Sequence, residues 1–168
     1  MKATLRVINE LKRKRIIEDY AIAGGVAAIF YAEPILTYDL DIFFTYKKDT
    51  TGLVSLAPIY DFLREKNYRE KEEHVLIEGI AVQFIPVYDE LSREAVKNAK
   101  RITYQGIRSK VLRVEHLISI MLQVSRPKDK ERITILQEQA KVDKRRLNTI
   151  LKKYGLIKKY KDFIKLYE

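Results

Sequence analysis

No cysteine occurs among the 168 residues of this chain. That absence removes disulfide frameworks, thiol nucleophiles, iron–sulfur clusters and cysteine-type zinc sites, and makes the cytoplasm the expected compartment. Proline is scarce, at Pro34, Pro58, Pro86 and Pro127 only. No Pro/Gly/Ser-rich linker, internal repeat or low-complexity tract divides the chain. The longest uncharged apolar stretch, residues 21–32, falls short of the ~20 residues that a bilayer crossing takes. No basic segment leads into an apolar run at the N-terminus, so neither a membrane partner nor a secretory signal is expected. With 46% hydrophobic and 33% charged residues, disordered and collagen-like classes also fit poorly. What remains is one domain, or one domain with a small appendage.

The formal charge of +10 is unevenly placed. Residues 1–20 hold six Lys/Arg and three Asp/Glu, a net of +3, and residues 141–168 hold ten and three, a net of +7. Residues 21–140 hold seventeen of each and balance. A neutral core with a basic C-terminal tail points to an anionic partner met by the tail. A solvated, lysine-rich helix face explains the same charge equally well.

Hydrophobic periodicity predicts helices over 4–17 and 26–31, and a short buried strand over 20–23 that stops at Gly24-Gly25. A second strand is expected over 39–45, a loop over 47–52, and a helix over 56–66 capped by Ser55, with Pro58 in its first turn. Strands over 74–78 and 80–87 flank a candidate tight turn at Glu78-Gly79, and 68–71 adds a short edge strand. A helix over 89–97 precedes two strands around Gly106. From 114 onward the pattern is helical: 114–124 with Leu117, Ile118, Met121 and Leu122 on one side, then 128–141, then a stripe of Leu147, Ile150, Leu151 and Tyr154. Leu156, Ile157, Tyr160, Phe163, Ile164 and Tyr167 form the last stripe. The expected class is α+β, with a domain over 1–113 and a helical C-terminal region over 114–168 packed on it.

The segment that carries chemistry is Ile22-Ala-Gly-Gly25 followed by Thr37-Tyr-Asp-Leu-Asp-Ile42. In a strand, side chains at i and i+2 share a face. Asp39 and Asp41 therefore point the same way, and Leu40 and Ile42 point into the core. Two neighbouring carboxylates stay ionised when a cation sits between them, and hard oxygen ligands select Mg²⁺ or Mn²⁺. Gly24-Gly25 lets backbone approach a phosphate at a helix N-terminus. Together they fit a phosphoryl or nucleotidyl transfer centre, although a Gly-Gly turn and an Asp-x-Asp pair are each common alone.

Gly24-Gly25, then about a dozen residues, then Thr37-x-Asp39-x-Asp41, resembles the signature of the DNA-polymerase-β-type nucleotidyltransferase superfamily. Within it the sequence is similar to AbiEii-like and minimal nucleotidyltransferase proteins, many of them in toxin–antitoxin or phage-defence systems. Glu115-His-Leu and Arg126-Pro-Lys128-Asp129 resemble a helical segment of those proteins. The resemblance implies a nucleotidyltransferase-like central mixed sheet flanked by helices. It also implies Mg²⁺ held by catalytic Asp39 and Asp41, and nucleotide bound near Gly24, Gly25, Thr37 and Lys128. Asp129 would be a structural or a site residue. The substrates would be an NTP and a protein or RNA hydroxyl, and a cognate toxin or antitoxin would be a partner.

The sequence departs from that pattern on the strand Ile80-Ala-Val-Gln-Phe-Ile-Pro86, where active members place a third carboxylate and this chain has Gln83. A neutral amide can ligate a metal but cannot act as a base. Glu78 and Asp89 lie near the strand ends as possible substitutes. His74 is expected on a partly exposed strand and His116 on a helix flank, neither with metal-ligand spacing. Three functions follow: a Mg²⁺-dependent nucleotidyltransferase, a catalytically inactive binding or regulatory module of the same fold, or nucleic-acid binding through the basic C-terminal helices.

Overall fold

The computed structural model describes residues 1–46 and 55–167. The loop expected over 47–52 lies outside the described residues, as do Glu168 and the side chain of Tyr167. The elements run α1 (Lys2–Arg13), β1 (Asp19–Ile22), α2 (Gly24–Ile29), β2 (Asp39–Thr45), α3 (Ala57–Glu65), β3 (Arg69–Lys71), β4 (His74–Ile77) and β5 (Ile80–Pro86). They continue with α4 (Glu90–Lys97), β6 (Lys100–Tyr104), β7 (Ile107–Val111), α5 (Val114–Val124), α6 (Pro127–Gln139), α7 (Lys144–Lys153) and α8 (Ile157–Tyr167).

The strands form one mixed sheet in the order β3-β4-β5-β2-β1-β7-β6. β2 runs antiparallel to β1 and parallel to β5, and β1 runs parallel to β7. Two hairpins close on the expected glycines. Glu78 and Gly79 both have positive φ, as do Gln105 and Gly106, which suits the right-handed twist of two-residue hairpin turns. The alternation read in β2 holds: Leu40, Ile42 and Phe44 are buried, and Asp39, Asp41 and Phe43 are half-buried on the other face. Gln83 on β5 follows the same rule, half-buried between buried Val82 and Phe84.

α1 stops earlier than its apolar pattern suggests, because Arg15 takes a left-handed φ of 60°. Its face of Leu5, Ile8 and Leu11 is fully buried, and Thr4 Oγ1 donates to the Ile77 carbonyl of β4 at 3.2 Å. α5 departs from its predicted one-sided stripe: all nine residues from Val114 to Leu122 are buried, so it is a core helix. His116, expected on a helix flank, is 3% exposed, with Nε2 3.3 Å from Glu94 Oε1 on α4. Glu94 also receives Lys153 Nζ and, at 2.7 Å, Tyr154 Oη, which ties α7 to α4. Buried residues of the sheet, of α1 to α5 and of the C-terminal helices form one continuous core.

Candidate functional site

The acidic pair sits where β1 ends and β2 begins. Ala23 N–H bonds the Asp41 carbonyl at 2.9 Å, and Asp39 and Asp41 stand beside Ala81 and Gln83 of β5 in parallel register. Both carboxylates project from the half-buried face of β2.

The two glycines are required inward rather than left bare. Gly24 has φ +57°, and a Cβ built on it would lie 1.7 Å from Asp41 Oδ2. A Cβ on Gly25 would lie 2.5 Å from both Cβ and Oγ1 of Thr37, and 2.8 Å from Arg132 Nη2. Gly24-Gly25 also forms the first turn of α2 rather than preceding it, with Ala23 as the N-cap. The first amides of that turn have no partner within the helix.

Thr37 Oγ1 donates to Asp39 Oδ1 at 3.1 Å, and His74 Nε2 lies 3.3 Å from Asp39 Oδ2. Burial works to raise the Asp39 pKa, but the bonds from His74 and Thr37 outweigh it and hold the group below its usual value. Asp41 behaves in the opposite way. Burial first, and the Asp39 charge second, push it up to about 6, against the pull of Arg126, Lys128 and Arg132. Among the described residues no side chain hydrogen-bonds or ion-pairs with the Asp41 carboxylate, and no Lys or Arg forms an ion pair with Asp39.

The start of α6 supplies the cations. Arg126 is fixed by Asp129, which is fully buried and receives Arg126 Nε at 2.8 Å, Nη2 at 3.1 Å and the backbone N–H at 3.2 Å. Asp129 is thus structural, a capping carboxylate that also holds a cation in place. Arg132 is buried and donates to the Leu36 carbonyl at 3.1 Å, which anchors the segment carrying Thr37. Lys128 is exposed and acts on both Asp39 and Asp41 through charge.

Gln83, beside Asp41, donates Nε2 to Glu73 Oε2 at 3.2 Å. The suggested substitutes do not join the pair. Glu78 accepts Tyr68 Oη in its hairpin turn, and Asp89 caps α4 beyond the far end of β5. His74 is the site residue that spacing missed, since only the pairing of β4 with β5 brings it to Asp39.

Among the described residues no cluster of three or more His, Asp or Glu is arranged to hold a metal ion. The pair still fits one divalent ion by its chemistry. Asp41 is a half-buried carboxylate with no hydrogen-bond donor on it among the described residues, seated in a gap that only glycine leaves. Mg²⁺ commonly takes one or two protein carboxylates and completes its shell with phosphate oxygens and water.

No family model matches the sequence, and no curated protein matches it. Among solved structures, the chain is similar to an antigenic nucleotidyltransferase-like protein from Paracoccidioides brasiliensis. That likeness has 16% identity and a TM-score of 0.55, covering 98% of this chain and 89% of that one. It is also similar to the antibiotic-resistance factor ANT(2'')-Ia in its solution structure, at 12% identity and a TM-score of 0.53, covering 99% and 98%. The architecture is therefore that of nucleotidyltransferase-like proteins: a mixed sheet flanked by helices. Among the described residues no helix is long and apolar enough to cross a membrane.

Proposed function

We propose that this chain is a nucleotidyltransferase that binds an NTP with Mg²⁺ or Mn²⁺ and passes its nucleoside monophosphate to a hydroxyl of a protein or RNA. The observation that carries this reading is the seating of Asp41 against Gly24, with Asp39 beside it on one open face. In this reading 1–113 is the catalytic domain and 114–168 the helical region that brings Arg126, Lys128 and Arg132 to it. A place among AbiEii-like proteins, with a cognate toxin or antitoxin, rests on the sequence resemblance.

Asp39 and Asp41 would hold the ion, which when bound offsets phosphate charge and orients the triphosphate. The amides of Gly24 and Gly25 and the Lys128 ammonium would receive phosphate oxygens, while Thr37 fixes Asp39. In the transfer, the acceptor oxygen bonds the α-phosphorus and the bond to pyrophosphate breaks. Pyrophosphate leaves with the electron pair, and the hydroxyl proton passes to a base. Gln83 cannot be that base, and loss of such help costs ~10²–10⁴-fold. Slow transfer is the expected behaviour.

Gln83 also favours a second reading, a nucleotide-binding module without transfer. Calorimetric titration with ATP, CTP, GTP and UTP, with and without Mg²⁺, tests binding. Label transfer from radiolabelled NTP separates the two readings. Metal-independent binding, or binding that survives Asp41→Ala, rejects the metal-site reading, and no nucleotide binding at all rejects both.

A further inference from the structure

The basic tail is largely unpaired within the protein. Of its ten Lys and Arg, only Lys153 forms an ion pair among the described residues, with Glu94. Two of the others, Lys141 and Arg146, line a cleft of about 440 Å³ together with Lys100 and Arg113. These cations come from β6, the turn into α5, the α6–α7 connection and the first turn of α7.

Two acids line the same cleft, and both are engaged by backbone. Glu115 is 4% exposed and accepts the Asp143 N–H at 2.9 Å. The Asp143 carboxylate caps α7 by accepting from the N–H groups of Arg145 and Arg146. Arg113 is oriented by its Nε bond to the Asn98 carbonyl at 2.8 Å, which leaves the terminal nitrogens of its fork for another acceptor. The cleft therefore offers directed cations to an anion.

An aromatic ring stands beside them. Lys100 Nζ lies 6.0 Å from the centroid of Phe30, and Phe30 is 47% exposed. Phe30 also meets Tyr31 edge-on at 5.9 Å between centroids, so part of its ring is covered and the rest is open. Cations that track phosphates next to a partly exposed aromatic ring are the two parts of a single-strand binding surface. A small free anion has no use for the ring.

Topology puts this cleft at the same end of the sheet as the acidic pair. Ile22 of β1 pairs in parallel with Val111 of β7, so Gly24 and Arg113 leave the sheet on the same side. β7 and β2 lie on either side of β1, an offset of ~10 Å.

We propose that this cleft binds the sugar–phosphate backbone of a single-stranded nucleic acid, with Phe30 as a platform for one base. The proposal goes beyond the reading of Asp39 and Asp41 and stands without it.

The test is fluorescence anisotropy of a labelled 12-nucleotide oligouridine with the full chain, in EDTA and without NTP. Its failure leaves the metal-site reading intact, and failure of the NTP titration leaves the cleft intact. Affinity is expected to fall with salt at a log–log slope of about −3, from ~0.7 per phosphate over four cations. The double variant Lys141→Glu/Arg146→Glu is expected to weaken binding by about tenfold or more and to flatten the slope by about 1.4. Phe30→Ala is expected to weaken it about fivefold or more. Lys158→Glu/Lys161→Glu makes the same charge change on α8, away from the cleft, and is expected to cost less than about threefold. Lys141→Gln/Arg146→Gln repeats the comparison if charge reversal impairs folding. The proposal is overturned if no oligouridine binds, if the two double variants weaken binding equally, or if inorganic phosphate competes as well as unlabelled oligouridine.

Discussion

The Asp41 carboxylate occupies the space that a side chain on Gly24 would need, with Oδ2 1.7 Å from the position of a Cβ there. Gly24 also holds a left-handed φ of +57°. Gly24→Ala therefore displaces Asp41 and strains the turn together. The expected result is a loss of about 1–2 kcal/mol in chemical denaturation and at least tenfold weaker Mg²⁺-dependent NTP binding in calorimetry. Unchanged binding would mean that the seat of Asp41 is irrelevant to the ligand.

The raised pKa of Asp41 sets a pH dependence of defined sign. A carboxyl whose folded value, about 6, lies above its ordinary value of 3.8 stabilises the fold fully below the lower value. That contribution is lost as pH rises through about 6. In EDTA, Asp41→Asn should thus be the more stable protein at pH 7–8, by about 1–3 kcal/mol, and the gap should close by about pH 4. Asp39, held low by His74 and Thr37, contributes in the opposite direction and loses its share as pH falls. Melting temperatures of parent and variant across this range decide the matter; a constant gap contradicts the account. Metal uptake should release a proton near pH 6, since the ion binds the ionised form.

Gln83 stands beside Asp41 in the β2–β5 register. Gln83→Asp places a third carboxylate next to the pair, and label transfer from NTP is expected to rise by about 10²–10⁴-fold. The same variant should be less stable without metal, through repulsion from Asp41. Robust transfer by the parent with no gain in the variant would show that another group already serves as the base.

Asp129 and Lys128 are neighbours in sequence with separable effects. Asp129 is fully buried and receives three bonds from Arg126, so Asp129→Ala should cost about 1–3 kcal/mol in urea denaturation. Lys128 is exposed and makes no ion pair among the described residues. Lys128→Ala should leave stability within about 0.5 kcal/mol while weakening NTP binding. A stability loss equal to that of Asp129→Ala would overturn its assignment as a phosphate contact.

Local rules made much of the fold legible. The alternation from Asp39 to Thr45 placed both acids on one face, and Glu78-Gly79 and Gly106 marked their hairpins. What local rules missed depends on distant partners. His74 reaches Asp39 only through strand pairing, and no spacing in the sequence encodes that. The one-sided stripe of α5 became a helix buried all round because α2, α4, α6 and α7 close over it. Nor did spacing reveal that each of Gly24 and Gly25 makes room for a side chain from elsewhere: Asp41, and Thr37 with Arg132.

The most direct test is an electron paramagnetic resonance titration of Mn²⁺ into the protein without NTP, whose triphosphate would itself take up the ion, parent against Asp41→Ala. The account predicts that the free Mn²⁺ signal is depleted by the parent at one equivalent and persists with the variant. Equal depletion by both proteins, or none by the parent, would contradict it.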